Sequence, residues 1–303
     1  MNKKYLPSLL FFSVCLIWGT TWMAMEIAVH TIPPILATGM RFLIAAPILV
    51  LLAKVFKQPL LFPSGKKKWM LITAVFYFAI PFTLMIFGEQ YISSGLASII
   101  FANMPIAVMI TSSAFLGLRL ARHQLVGLFI AVSSLCIILF SEMSIGGEDY
   151  IVGSMALAGA VIMHAMMYVM VQRHCKDIQV ITYNALPSLI AAVLLFIVSF
   201  NFEEINLAAV TFESLSAVIY LGIFASVGGI VAYFKLGQIS TPFTASICFL
   251  IFPLVALSLS AVVSGASISQ ESIFMLLPLL SGIFLTKVPV EHIRIPLLRK
   301  ESA

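Results

Sequence analysis

The sequence is poor in charge. Only 10% of its 303 residues are Asp, Glu, Lys or Arg, while 61% are hydrophobic; soluble domains carry about 25% charge and roughly 45–50% apolar residues. Too little polar surface exists to cover such a chain in water, and a mean hydropathy of +1.11 says the same. The four cysteines (Cys15, Cys136, Cys175, Cys248) lack the spacing of a disulfide framework or a zinc site. No metal and no cofactor are expected. No phosphate-binding loop with Gly-Lys-Ser/Thr is present, so ATP is not expected as the direct energy source. His-Glu-x-x-His and Gly-x-Ser-x-Gly are also absent, and the apolar runs hold almost no acid, which is poor material for acid–base catalysis. An enzyme is therefore the weaker reading, and a facilitative channel is a third.

What the chain has is long apolar runs. A bilayer core needs roughly 20 apolar residues per helix, and ten such runs can be marked: 7–29, 32–53, 69–88, 93–116, 124–141, 151–172, 180–200, 213–234, 241–263 and 271–288. In lipid every backbone group must be bonded internally, so runs of this length predict helices. The expected fold is an all-α integral membrane protein of ten transmembrane helices. The first run is too long for a signal peptide and lacks a clean cleavage site.

The loops divide by sign. With the N-terminus in the cytoplasm, one side holds Lys3, Lys4, Lys54, Lys57, Lys66–Lys68, Arg119, Arg122, Arg173, Lys176, Lys235, Lys287, Arg294, Arg299 and Lys300. The other holds Glu89, Glu142, Glu148, Asp149, Glu203, Glu204, Glu213 and Glu271. Such a one-sided Lys/Arg bias orients membrane proteins. It predicts a multi-pass protein of the cell (inner) membrane with both termini cytoplasmic. The net charge of +5 is thereby a topology signal, and no nucleic-acid partner is expected.

The chain also repeats itself. Set 148 residues apart, "YISSGLASIIFANMPIAV" (91–108) meets "ISTPFTASICFLIFPLVA" (239–256), with Ala97, Ser98, Ile99, Phe101 and Pro105 falling on Ala245, Ser246, Ile247, Phe249 and Pro253. "RFLIAAP" (41–47) aligns with "PSLIAAV" (187–193), and at that offset Trp18 meets His164. The unit is five helices, residues 1–145 and 146–303. Five is odd, so the second copy enters the membrane from the other side; inverted repeats of this kind place substrate sites near the midplane of secondary transporters. Pro105 and Pro253 fall at matched depth in the fourth and ninth helices. Each removes an intrahelical hydrogen bond, so each predicts a kink, read either as packing or as the shaping of a central cavity.

These features resemble the EamA family of the drug/metabolite transporter superfamily. The resemblance is carried by "IWGTTWMAME" (17–26), "GMRFLIA" (39–45), and "SSGLASIIFANMPIAV" followed by "FLGLRLARHQLVG" (115–127), in both halves. It implies a ten-helix transporter that exports amino acids, drugs or small metabolites, with uptake or exchange as the alternative. Two departures stand out. Family members often carry Gly-Glu where this chain has Gly117-Leu118 and Gly265-Ala266, and a tryptophan where it has His164.

A few residues invite function. Arg41 is the one basic residue outside the loops, near mid-depth in the second helix. A buried arginine marks a functional candidate by default, either as a bidentate anchor for a carboxylate or phosphate or as a structural cation bonded to kink carbonyls or Thr38. His164 is a candidate for substrate or for proton coupling, or a neutral core histidine. Trp18, Thr21 and Trp22 share a helical face, and Tyr168 follows His164 by one turn. Asn103, two residues before Pro105, needs a partner: substrate, or a carbonyl freed by the proline. Glu89 and Glu26 end helices at the acidic side, as exit-side charges or as solvated interfacial acids, and Glu89 is with His164 a candidate for proton coupling. Gly222, Ser226, Gly228 and Gly229 give the eighth helix a small surface. The expected partners are a small-molecule substrate and the lipid bilayer, with a homodimer also open.

Overall fold

The computed structural model describes residues 5–118, 120–146, 148–240, 245, 247–266 and 268–288. Lys3, Lys4, Arg119, Arg294, Arg299 and Lys300 lie outside the described residues, as do Ser246 of the repeat and the side chain of Glu148. Within them the chain is helical. The helices are α1 (Leu6–Ala28), α2 (Pro34–Val55), α3 (Ser64–Gly88), α4 (Ser94–Leu116), α5 (Arg122–Gly146), α6 (Glu148–His174), α7 (Val180–Phe202), α8 (Phe212–Ile239), α9 (Cys248–Val263) and α10 (Gln270–Lys287). The first eight are long and apolar enough to cross a membrane; α9 is a shorter apolar helix.

Local chemistry sets the ends. Pro34 opens α2, where the missing N–H costs nothing. Ser93, Thr211 and Ser269 cap α4, α8 and α10 by accepting the backbone N–H of Leu96, Ser214 and Ser272. Gly117 ends α4 and Gly265 follows α9, with φ of +66° and +65°. That left-handed turn strains any residue with a Cβ, so the glycine of the expected Gly-Glu position is needed even where the glutamate is gone.

Two helices change register inside. α3 is π-helical over Ala74–Ala79 and α8 over Leu221–Gly229, at matching places in the two halves. Such π segments leave backbone groups less regularly bonded and collect at functional sites. The run lengths and composition of the chain did not predict them.

Packing inverts the pattern of a soluble protein. Phe12, Leu16, Phe129, Phe140, Phe200 and Phe274 stand on the outside, while Ala45, Ala46, Ala191 and Ala192 are fully buried. With lipid outside, close backbone approach rather than the hydrophobic effect holds such helices together. The repeated Ile-Ala-Ala lies where α2 runs along α7. α5 runs along α10 just as closely: a Cβ added to Gly127 would meet the Gly282 carbonyl oxygen at 2.6 Å. α1 packs on α8 and α9, and α6 packs on α3 and α4, so exchanging the halves exchanges the contacts.

The prolines behave differently from one another. α4 is broken: Ala102 and Asn103 form a turn and Pro105 starts a new helical stretch. Pro253 lies within α9, which continues through it. Pro105 therefore follows a break between two helical stretches, whereas Pro253 lies inside a continuous one. α8 also runs five residues past its expected end, to Ile239.

Candidate functional site

A cavity of about 160 Å³ lies between the halves. α1 contributes Trp18, Thr21 and Trp22, and α2 contributes Arg41 and Phe42. The π segment of α3 contributes Tyr77 and Phe78, and that of α8 contributes Ala225 and Ser226. Phe101 comes from just before the break in α4, His164 from α6, Asn184 and Ser188 from α7, and Phe249 and Phe252 from α9. The walls are mostly apolar and rich in aromatic rings.

Among the described residues Arg41 is the one formal charge on that wall. It is 3% exposed. Its Nε donates to Ser226 Oγ at 2.7 Å, and Nη1 makes a long contact of 3.7 Å with Met25 Sδ. The guanidinium carbon stands 4.7 Å from the centre of the Phe82 ring, close enough for cation–π attraction. Among the described residues no carboxylate pairs with it; the ion pair there joins Lys66 to Asp177 at the basic face. Its hydrogen bonds run to Ser226 and Met25 rather than to Thr38, one turn away, whose hydroxyl donates to Pro34 O. A guanidinium offers five donors, and a neutral hydroxyl and a thioether use few of them.

His164 is 3% exposed, with Tyr77, Phe82 and Phe101 edge-on around it at 5.0, 5.0 and 5.7 Å. Its Nδ1 lies 3.1 Å from Ala160 O. A carbonyl only accepts, so Nδ1 carries the hydrogen and Nε2 is left as the free nitrogen. On the opposite wall Trp18 lies 4.8 Å from Tyr233 and 5.6 Å from Phe249. It rests on the α8 π segment, where a Cβ on Gly229 would meet Trp18 Nε1 at 2.6 Å. The small residues of α8 thus admit side chains from α1 and α2, since Gly222 likewise abuts Ile44.

Four of the six expected binding residues, Trp18, Thr21, Arg41 and His164, share this cavity. Tyr168 does not line it and is 42% exposed. Asn103 is buried beside the break in α4 and does not line it either. Its backbone N–H bonds Ile100 O in place of Ile99 O, and its side-chain amide donates to the vacated Ile99 O at 3.0 Å. Pro105 follows two residues later; Pro253 sits one residue after Phe252 of the wall. Asn184, Ser188 and Ser226 supply polar lining; the first two were not singled out in the sequence, although an amide inside an apolar run was a usable signal.

The acids of the opposite loops are not merely solvated. Glu203, at the end of α7, accepts the N–H groups of Ile35 and Leu36 at the start of α2, at 2.7 and 2.9 Å. Glu26, at the end of α1, accepts Ser94 N–H at 2.9 Å and the Ser264 hydroxyl at 2.8 Å. Glu142, at the end of α5, accepts Ser269 N–H and the Ser272 hydroxyl. Each carboxylate sits on the positive end of another helix. Glu89, at the end of α3, is 4% exposed and neither of its oxygens has a donor among the described residues.

The EamA-like transporter family model matches residues 6–140 and again 151–288. Protein PagO of Salmonella typhimurium is 47% identical over 286 residues, covering 94% of each chain. An uncharacterized transporter of Buchnera aphidicola from Schizaphis graminum is 42% identical, covering 96% of this chain and 97% of its own. A solved crystal structure superposes with a TM-score of 0.66 at 16% identity, over 92% of this chain and 95% of that one, which is a likeness of fold. On the family match and these relatives, the chain belongs to the EamA-like transporter family and is a multi-pass membrane transporter.

Proposed function

We propose that this transporter is a secondary carrier of small organic anions or zwitterions, moved by alternating access through the cavity between α1–α5 and α6–α10. The observation that carries the reading is Arg41: a buried cation with no acid beside it among the described residues, in an aromatic cavity. An unpaired buried charge is costly and is relieved by an opposite charge with good hydrogen bonds. A substrate carboxylate meets that need bidentately, while Trp18, Trp22 and Phe252 receive its apolar body. Thr21, Asn184 and Ser188 supply polar contacts, and His164 lines the same space. A volume of 160 Å³ is close to the roughly 150 Å³ that holds a benzene ring in an engineered cavity, so the solute carries about one ring's worth of body.

The wider reading has ten spans as two inverted five-helix repeats, residues 1–145 and 146–303, in the cell (inner) membrane with both termini cytoplasmic. The matched π segments, the matched left-handed glycines and the exchangeable contacts support the repeat. The sign of the loops supports the orientation. Export is the proposed direction, with uptake or exchange as the second reading. His164 and Glu89 are the candidates for proton coupling; a pH-gradient dependence that survives both His164→Ala and Glu89→Gln removes that part.

Thermal stabilisation of the purified protein tests the site. Small aromatic or branched carboxylates should raise its melting temperature, and their methyl esters and amides should not. Arg41→Gln should weaken carboxylate binding at least about tenfold, or roughly 1.4 kcal/mol, with Arg41→Lys retaining part of it. Equal stabilisation by acid and ester would sink the assignment.

A further inference from the structure

The acidic face holds one carboxylate that the helix-capping pattern leaves out. Glu203, Glu26 and Glu142 each accept a backbone N–H at the start of another helix. Glu89 is as buried as Glu142, yet among the described residues both its oxygens are without a donor. It borders a polar pocket with Glu26, His30, Gln90, Tyr91 and Ser93. The Ser94 hydroxyl, fully buried beside the Glu26 contact, is likewise without a partner among the described residues. Among the described residues no lysine or arginine lines that pocket. α6 meets this corner through Gly153 and Leu157 against Gly88, which carry no charge. Among the described residues the titratable groups lining that pocket with Glu89 are Glu26 and His30, from α1 and the turn after it, and Tyr91 of its own loop.

We infer that Glu89 is a proton-binding site, and that the proton it holds keeps Glu26 latched to α4 and α9. By itself Glu26 joins three helices here, through Ser94 N–H on α4 and the Ser264 hydroxyl at the end of α9. Those helices, with α1, form one wall of the central cavity through Trp22, Phe101 and Phe252. A neutral Glu89 leaves the Glu26 charge free to hold both donors. An ionised Glu89 sets a second negative charge against it where, among the described residues, no lysine or arginine answers, and separation of α1 from α4 and α9 relieves that repulsion. Both Glu89 oxygens are closed to solvent, so neither is presented to a hydrated metal ion, whereas a proton needs no such opening. Burial first, and the Glu26 charge second, hold the Glu89 carboxyl well above the usual carboxylate range. Reading the latch as a gate rests on the transport proposal above; the proton site itself does not.

The test is accessibility at Ser94→Cys in a background with the four native cysteines replaced. A hydrophilic maleimide is applied across a pH series to two such proteins, one keeping Glu89 and one carrying Glu89→Gln, which mimics the protonated acid. The ratio of their labelling rates, parent over Glu89→Gln variant, cancels the reagent's own pH dependence. That ratio should start near one at acid pH and climb at least about tenfold as pH rises, with Glu89→Asp following the parent. Thermal stability carries the same sign. The folded state keeps a proton that the unfolded chain loses, so stability falls as pH rises from the ordinary carboxyl range to the folded pKa, then levels; Glu89→Gln stays flat there. A ratio of one at every pH overturns the inference. So does a Glu89→Gln protein that fails to fold at neutral pH, or a ratio that follows sodium rather than pH. No solute is read in this assay, so failure of the carboxylate test leaves its outcome standing.

Discussion

Asn103 shows how one amide makes a broken helix tolerable in an apolar setting. The turn before Pro105 shifts the Asn103 N–H from Ile99 O to Ile100 O, and the side chain takes the bond the backbone gave up. A carbonyl left bare in a buried site costs about 1–3 kcal/mol. Asn103→Leu should therefore lower the melting temperature by several degrees in a thermal unfolding scan, while carboxylate binding at Arg41 stays within about twofold of wild type. A large loss of binding with unchanged stability would instead place Asn103 in the substrate path. Its position in an apolar run was legible from the residues, because a mid-helix amide demands a partner. Which partner was not legible, because that depends on the register of one turn. Arg41 was equally visible as a lone cation, but its bond to Ser226 spans 185 residues and no local pattern announces it.

At the scale of the element, the apolar runs located most helices to within about five residues, while α9 begins at Cys248 rather than at 241, since length and composition mark an apolar helix better than its ends. The π segments of α3 and α8 escaped, because a change of hydrogen-bond register leaves composition untouched. The acidic helix ends escaped for another reason: a carboxylate at a loop reads as solvated until the helix it caps is brought beside it. Glu203 is the clearest case, accepting two N–H groups of α2 and the Ser199 hydroxyl. Glu203→Ala should cost about 1–3 kcal/mol through the uncapped N–H groups. Glu203→Gln, which keeps an acceptor but loses the charge, should cost less. Circular-dichroism melts of the two variants check the order; equal melts would mean that water replaces the cap.

For the whole molecule, the closest helix pairs, α2 with α7 and α5 with α10, each join one half to the other. Neither half buries its own small-residue faces. Residues 1–145 or 146–303 expressed alone should give no monodisperse species in size-exclusion chromatography, whereas the two co-expressed should recover a single peak and the carboxylate-dependent stabilisation. A stable isolated half would show that the halves are independent domains. The internal repetition was readable in the sequence from "RFLIAAP" and "PSLIAAV", because α2 and α7 meet along one close approach and each side of it needs small residues.

The contact between Glu203 and α2 also sets an order of events during synthesis. α4 and α10 receive their carboxylate caps from α1 and α5, which leave the ribosome before them. Of these three, α2 is the one that waits, for a residue 167 positions beyond its own Leu36. Until α7 has emerged and crossed, the nascent first half rests in the bilayer with the start of α2 uncapped and its alanine face unmatched. The cap on α2 is therefore one that the first half cannot supply to itself: its donors are made early and their acceptor only with α7.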